Sequence, residues 1–331
     1  MARHFELSWA DGFSRNTRFT VGLGLSAGLL IGLISLWPHW PGDMIVPFRL
    51  QLVVLAVAGL LISLCLARRA LMGFAAVVLM LHATPVALRL MQRPVLPATS
   101  DAGRPLSLVF SNVLADNRDY GRVIALAEGE NADLFAAAET SPAWIERLKE
   151  LRATYPYSYA PEAGVFGVAL YAKRPFTPTL YRIGRYNMTL MRADFADYVV
   201  YVAHPMPPAN ASLSEDNRLY IADLARRVAS ETKPVIVTGD LNATLWSGSM
   251  GPLMRARLSW PAGSGLRHTW PTGRALLGIQ IDHVLTKGLR AGRLTVLRDV
   301  GSDHLPVRAD LALPESRTKL TFSNNVVIQK E

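Results

Sequence analysis

Six short polar clusters stand where apolar runs stop, and they are of one chemical kind. Asn112 follows Leu106–Ser111, Glu139 follows Ala136–Ala138, and His204 follows Val199–Ala203. Asp240 and Asn242 follow Val235–Gly239, Asp282 and His283 interrupt a run at Ile281, and Ser302-Asp303-His304 precedes the last run. Strand ends on a rigid scaffold are where functional groups are aimed into one cleft. Four carboxylates, two Asn and two His together suit a hard cation and a phosphate. Mg²⁺ takes carboxylate oxygens and keeps several waters, and Mn²⁺ is an alternative for the same ligands. Zinc would want denser His or Cys ligation than this chain supplies. Each cluster alone has an ordinary explanation: Gly239-Asp240-Leu241-Asn242 is a common turn composition, Asp303 suits a cap before Pro306, and Glu139 suits a solvent position. The weight lies in the set.

The elements that must hold these residues alternate strand and helix. Patterning predicts strands at Leu106–Ser111, Asp133–Ala138, Val165–Tyr171, Met188–Phe195, Tyr198–Ala203 and Pro234–Thr238. Further strands are expected at Ile279–Leu285, Leu294–Leu297 and Pro306–Leu313, and helices at Tyr120–Glu130, Pro142–Leu151 and Glu215–Ser230. Ser141 is placed to cap the second helix. Strands outnumber helices, so two packed mixed sheets with helices outside fit better than a doubly wound parallel sheet.

The first ninety residues are different in kind. Of 331 residues, 50% are apolar and 18% charged, below the roughly 25% charged usual for soluble domains. Three uncharged stretches, 20–37, 50–67 and 70–88, are each long enough to cross a hydrocarbon core of about 30 Å. No small-residue cleavage site follows Trp37, so a three-span membrane anchor over 1–93 is expected rather than a signal peptide. Arg3, Arg15 and Arg18 before the first span, and Arg68–Arg69 between the second and third, belong on the cytoplasmic side by the positive-inside rule. Three crossings then leave the rest outside, which in a bacterial inner membrane means the periplasm. Arg89 and Arg93 argue the other way. Of the net charge of +9, residues 1–93 carry eight Arg against Glu6, Asp11 and Asp43, so the remainder holds little excess positive charge and nucleic acid is not favoured as a partner. Gly24, Gly28 and Gly32 share a helix face that would allow close helix approach, and His82 reads as a neutral residue packed near Pro85. A Pro-rich linker is expected at 94–104, a catalytic domain at 105–313 and a tail at 314–331.

The ordered set Ser111-Asn112, Glu139, His204-Pro205, Gly239-Asp240-Leu241-Asn242, Asp282-His283 and Gly301-Ser302-Asp303-His304 resembles the endonuclease/exonuclease/phosphatase superfamily. Thr269-Trp270-Pro271 also fits, and the stretch from Gly239 to Ser247 is similar to a bacterial membrane-anchored branch with three spans. The resemblance covers Leu106–Leu313 and implies a four-layer α/β sandwich. It further implies that Glu139 is the principal Mg²⁺ ligand with Asn112 beside it, and that Asp240, supported by Asn242, orients or deprotonates water. His304 would contact the scissile phosphate with Asp303 fixing its tautomer; His204 would act at the leaving oxygen, and Asp282 would complete the polar cluster near it. Departures include Ala138 where the family usually has Gln, and Ala243-Thr244 where the inositol-phosphatase branch has Tyr-Arg. A Glu partner for His204 has Glu162 as its nearest candidate. These features predict a membrane-tethered Mg²⁺-dependent hydrolase of phosphate esters, a phosphodiesterase first, with nuclease, lipid or small-molecule phosphodiesterase and phosphatase all open. A pseudoenzyme that binds phosphate compounds or a partner protein is the alternative, and a channel-like role for the spans comes last.

Overall fold

The computed structural model describes residues 2–92, 103–161 and 164–314. The expected linker therefore lies almost wholly outside the described residues, as do Glu162 and the chain after Pro314. The helices are α1 (Ala2–Ile34), α2 (Gly42–Ile45), α3 (Arg49–Cys65), α4 (Arg69–Met91), α5 (Tyr120–Glu130), α6 (Pro142–Arg147), α7 (Ala211–Ser230) and α8 (Gly251–Arg255). The strands are β1 (Arg104–Asn112), β2 (Leu134–Ala138), β3 (Tyr157–Tyr159), β4 (Val168–Ala172), β5 (Thr177–Ile183) and β6 (Met188–Asp194). β7 (Val199–Ala203), β8 (Val235–Asp240), β9 (Asp282–Lys287), β10 (Arg290–Val296) and β11 (Val307–Leu313) complete them.

Two mixed sheets pack face to face. One runs β10-β11-β1-β2-β4-β3 and the other β5-β6-β7-β8-β9. Their shared interior is apolar, with Leu108, Phe110, Ala136 and Leu170 from one sheet against Met191, Val200, Val202 and Ile236 from the other. A helical layer covers each outer face: Val123, Leu126 and Trp144 pack on the first, Tyr220, Ile221 and Leu224 on the second. This is the α/β sandwich anticipated from the sequence. Boundaries differ in places. Helix Pro142–Leu151 ends at Arg147 and continues as a 3₁₀ turn, while Asp282 and His283 begin β9 rather than interrupting a strand. Ser141 does cap α6, its hydroxyl accepting from Trp144 N.

Three helical segments are long and apolar enough to cross a membrane: Arg15–Ile34, Gly42–Cys65 and Arg69–Met91. They contact one another where side chains are small. A Cβ on Gly28 would lie 3.1 Å from Val78, and one on Gly32 would overlap Leu81, whereas Gly24 has open space. His82 bonds the Gly28 carbonyl through Nε2 at 3.0 Å, so its partner is the α1 backbone.

The N-terminal helical segment is also bolted to the sandwich. The Asp43 carboxylate receives Arg218 Nε at 2.8 Å and Nη2 at 2.7 Å from α7, and Ser214 donates to it. Trp246 Nε1 donates to Val46 O, and Gln51 Nε2 to Gly278 O. Val46 and Val86 join the core beneath α7 and α8. The segment between the first two spans therefore lies on the same side as the sandwich, and the Arg68–Arg69 turn lies at the opposite end of α3 and α4.

Candidate active site

Strand register assembles the polar cluster. β1 and β2 run parallel with Asn112 opposite Ala138, which sets Glu139 beside Asn112. In the second sheet Ala203 pairs with Gly239 and Asp240 with Asp282, which gathers His204, Asp240 and Asp282 at one edge. Gly239 is required here: with φ at +154°, any Cβ would lie 1.9 Å from the Ala203 carbonyl oxygen. Glu139 and Asn242, just past β2 and β8, take left-handed backbone conformations with φ of +59° and +49°. Non-glycine residues seldom adopt that region, and such strain gathers at functional sites.

Asn112 joins the two sheets. Its Nδ2 donates to Glu139 Oε1 at 2.9 Å and to Asp240 Oδ2 at 3.2 Å, while its Oδ1 accepts from Leu114 N. Glu139 Oε2 accepts from Ala115 N, so each carboxylate oxygen takes one bond and keeps lone-pair capacity. Asp240 Oδ1 accepts from Asn242 N at 2.9 Å, and Asn242 Nδ2 holds the Pro205 carbonyl.

Both histidines approach the same oxygen. His204 Nε2 and His304 Nε2 each lie 3.6 Å from Asp240 Oδ2. Their surroundings push them apart in charge. Burial lowers the His204 imidazole to about 3, reinforced by the nearby His304, and its buried Nδ1 finds no partner among the described residues. Burial would lower His304 as well, but the Asp282 and Asp240 carboxylates outweigh it and raise the group well above its ordinary value. Burial likewise raises Asp240, an effect the His304 cation partly offsets. A neutral and a cationic imidazole thus flank one carboxylate.

The pairing expected between Asp303 and His304 is made by a different acid. His304 Nδ1 lies 2.9 Å from Asp282 Oδ2, whereas Asp303 Oδ2 accepts from Trp270 Nε1 at 3.0 Å. The reason is register: the β8–β9 ladder sets Asp282 beside Asp240, facing the incoming ring. His283, adjacent in sequence, turns away to bond the Ala243 carbonyl at 2.7 Å. The second oxygens of Asp282 and Asp303 are buried without partners among the described residues.

Glu139, His204, Asp240, Asn242, Asp303 and His304 all line one cleft of about 420 Å³. Asp43, Met44, Pro47 and Phe48 line it too, so the segment between spans one and two forms a wall of the site. That wall escaped the sequence reading; its signal was Asp43, the lone acid in an apolar interspan stretch. Asp240, Asp282 and His304 also offer three donor atoms within 4.8 Å of one another, a grouping that could hold a metal ion.

Comparison with known proteins bears on the family and the fold. The family model described as Endonuclease/Exonuclease/phosphatase family matches residues 109–304. An endonuclease/exonuclease/phosphatase from Beutenbergia cavernae superposes with a TM-score of 0.54 at 21% identity, over 64% of this chain and 72% of that one. D. rerio TDP2 complexed with a single-strand DNA product gives 0.50 at 15%, over 62% and 98%. A family protein from Bacteroides thetaiotaomicron gives 0.50 at 14%, over 65% and 98%. No curated protein matches in sequence. The family model spans more than half of the chain and runs from β1 through His304, so the chain belongs to the endonuclease/exonuclease/phosphatase family of phosphoester hydrolases.

Proposed function

We propose that the chain is a membrane-tethered, divalent-metal-dependent phosphodiesterase, with 1–93 as anchor and 105–313 as catalytic domain. One observation carries the choice of a diester. The cleft is lined by Glu139, Asp240 and Asp303, and no Lys or Arg lines it among the described residues. A monoester dianion or a polyanionic strand would meet carboxylates with no Lys or Arg to offset its extra charge, whereas a diester brings a single negative charge to the His304 cation. Nucleic acid usually calls for a row of Lys and Arg along the track.

The donor set fits a hard cation. Glu139 retains lone pairs on both oxygens, and Asp303 keeps one buried oxygen unpartnered in the same cleft. Glu139, with Asn112 bonded to it, and Asp303 in the same cleft would hold Mg²⁺ or Mn²⁺. The alternative grouping around His304 is less suitable, because its Nδ1 is already bonded to Asp282 and a protonated ring repels a cation. Bound there, the metal would neutralise charge on the non-bridging phosphoryl oxygens. The chain's own residues supply the rest. Asp240, fixed by Asn242 and Asn112, takes a proton from the attacking water. His304, kept cationic and oriented by Asp282, donates from Nε2 to a phosphoryl oxygen. His204, kept neutral by burial, stabilises the leaving oxygen by hydrogen bonding, and that oxygen takes its proton from solvent.

The reading extends to topology. With Arg15, Arg18, Arg68 and Arg69 on the cytoplasmic side, the sandwich and the interspan wall face the periplasm of an inner membrane. The test uses the full chain in nanodiscs with Mg²⁺, offered bis(p-nitrophenyl) phosphate, p-nitrophenyl phosphate and supercoiled plasmid. Turnover of the diester at least tenfold above the other two is expected. Preference for the monoester or the plasmid would overturn it.

A further inference from the structure

The catalytic cleft adjoins a second cavity. Pro47 and Ile279 line both, and the second measures about 530 Å³. One wall is the first two turns of α3, with Leu50, Val54 and Leu55; the other is the 264–280 loop of the sandwich, with Leu266, Leu276 and Leu277. The bond from Gln51 Nε2 to Gly278 O, at 2.8 Å, fixes the two walls together. The groove therefore lies between the cleft of the polar cluster and the flank of a helix long and apolar enough to span a membrane.

The exposure of the loop leucines gives this direction. Leu276 is 90% exposed, Leu266 61% and Leu277 55%, while leucines of the sandwich interior such as Leu108 are fully buried. Exposed leucines facing water would each forgo a burial term of a few kcal/mol. They share one cavity lining with Leu50, Val54 and Leu55 of α3, a helix apolar enough to span a membrane. Leu55 lies six residues along the helix from Arg49, about 9 Å at 1.5 Å per residue, within the candidate span Gly42–Cys65. Val54 and Leu55 are themselves 67% exposed, as lipid-facing residues of a span are.

We propose that the groove between α3 and the 264–280 loop is a chain subsite, which takes the apolar tail of a membrane-resident phosphodiester while its phosphate reaches Glu139 and His304. This rests on the phosphodiesterase reading above and adds the substrate class: an amphiphile resident in the bilayer. The membrane anchor is then part of the substrate-binding surface as well as a tether. The groove commits to a lipid chain because one of its walls is a helix long and apolar enough to span a membrane, and because it shares Pro47 and Ile279 with the cleft where the phosphate is handled.

The experiment compares a series of alkyl p-nitrophenyl phosphates, from ethyl to dodecyl, with the full chain in nanodiscs and Mg²⁺. Burying a methylene is worth at most about fourfold, so kcat/KM is expected to rise at least tenfold between the ethyl and octyl esters. The pair Leu276→Ser and Leu277→Ser, at exposed positions that should not disturb folding, should flatten that rise to under threefold and leave the ethyl rate unchanged. A rise equally steep in the double variant would show mere partitioning into the disc and overturn the subsite. So would a flat series in the wild type, which leaves the phosphodiesterase reading standing. A change from dimer to monomer in the double variant would assign the leucines to a second copy and also overturn it. Failure to hydrolyse any member would remove both readings.

Discussion

Asp282→Asn is the substitution that most directly tests how the site handles charge. Asp282 Oδ2 accepts from His304 Nδ1 at 2.9 Å, and both side chains are at most 6% exposed. The amide keeps the shape but withdraws the charge that, with Asp240, holds the imidazole cationic against burial. Removing one partner of a buried pair costs about 3–5 kcal/mol. If roughly 3–4 kcal/mol of this appears in the transition state, turnover falls by about 10²–10³-fold, at 1.36 kcal/mol per decade. His304→Ala should cost at least as much. Independent effects would multiply to about 10⁴–10⁶, but residues that act as a unit do not multiply. The double variant should therefore lie within about tenfold of His304→Ala in initial rates on bis(p-nitrophenyl) phosphate. Asp303→Asn is the control, since Asn can still accept from Trp270 Nε1. Its effect, which falls on metal affinity, should multiply with that of His304→Ala. Multiplicative behaviour of Asp282 with non-additive behaviour of Asp303 would refute the assignment and restore the pairing expected from sequence.

Glu139→Gln should raise the Mg²⁺ concentration for half-maximal activity by at least about tenfold, because it removes the ligand charge; an unchanged Mg²⁺ titration would exclude Glu139 as a ligand. Arg218→Met should lower Tm and expose the interspan segment to protease, since the Asp43–Arg218 pair is largely buried and worth about 1–3 kcal/mol after allowance for its partial exposure. Glu231 is held below its ordinary carboxylate value, chiefly by the hydrogen bond from Arg192, against the cost of burial. Its contribution is present above the unfolded value near 4.5 and is lost as pH falls through the lower folded value. Glu231→Gln should accordingly lower Tm at pH 7, and the gap from wild type should close on acidification through that window; a constant gap would exclude the linkage. Alkaline phosphatase fused after Glu331 should be active, whereas a fusion within Arg68–Arg69 should not; the reverse pattern would place the cleft in the cytoplasm.

Some of this was legible in the sequence for definite reasons. Tyr120–Glu130 is bounded as expected because Val123, Ile124, Leu126 and Ala127 bury one helical face and Asn131 ends the helix in a left-handed conformation. β5 was missed because it is an edge strand: Thr177–Ile183 is mostly half-buried or exposed and carries Pro178, which an edge tolerates. The first turn of α7 was read as loop because Ser212 and Ser214 are poor helix signals. Ser214 is nonetheless buried, satisfied by Asp43, 171 residues earlier in the chain. The types of the strand-end residues pointed to a phosphate site. Their partners did not follow, because Asp282 and Asp303 each precede a histidine in sequence and only the β8–β9 register decides which acid meets His304.

The wall supplied by Asp43 to Phe48 has a consequence for where the enzyme can work. A protease cutting after span three would release a sandwich that keeps Glu139, Asp240 and His304 but lacks one side of its cleft and all of α3. Such a shed fragment should turn over small soluble diesters poorly and long-chain ones worse, even at equal concentration. On the reading proposed above, hydrolysis would then be self-limiting in space: the molecule would be competent only where its first two apolar helices are embedded, and detachment would work as an off-switch without any inhibitor.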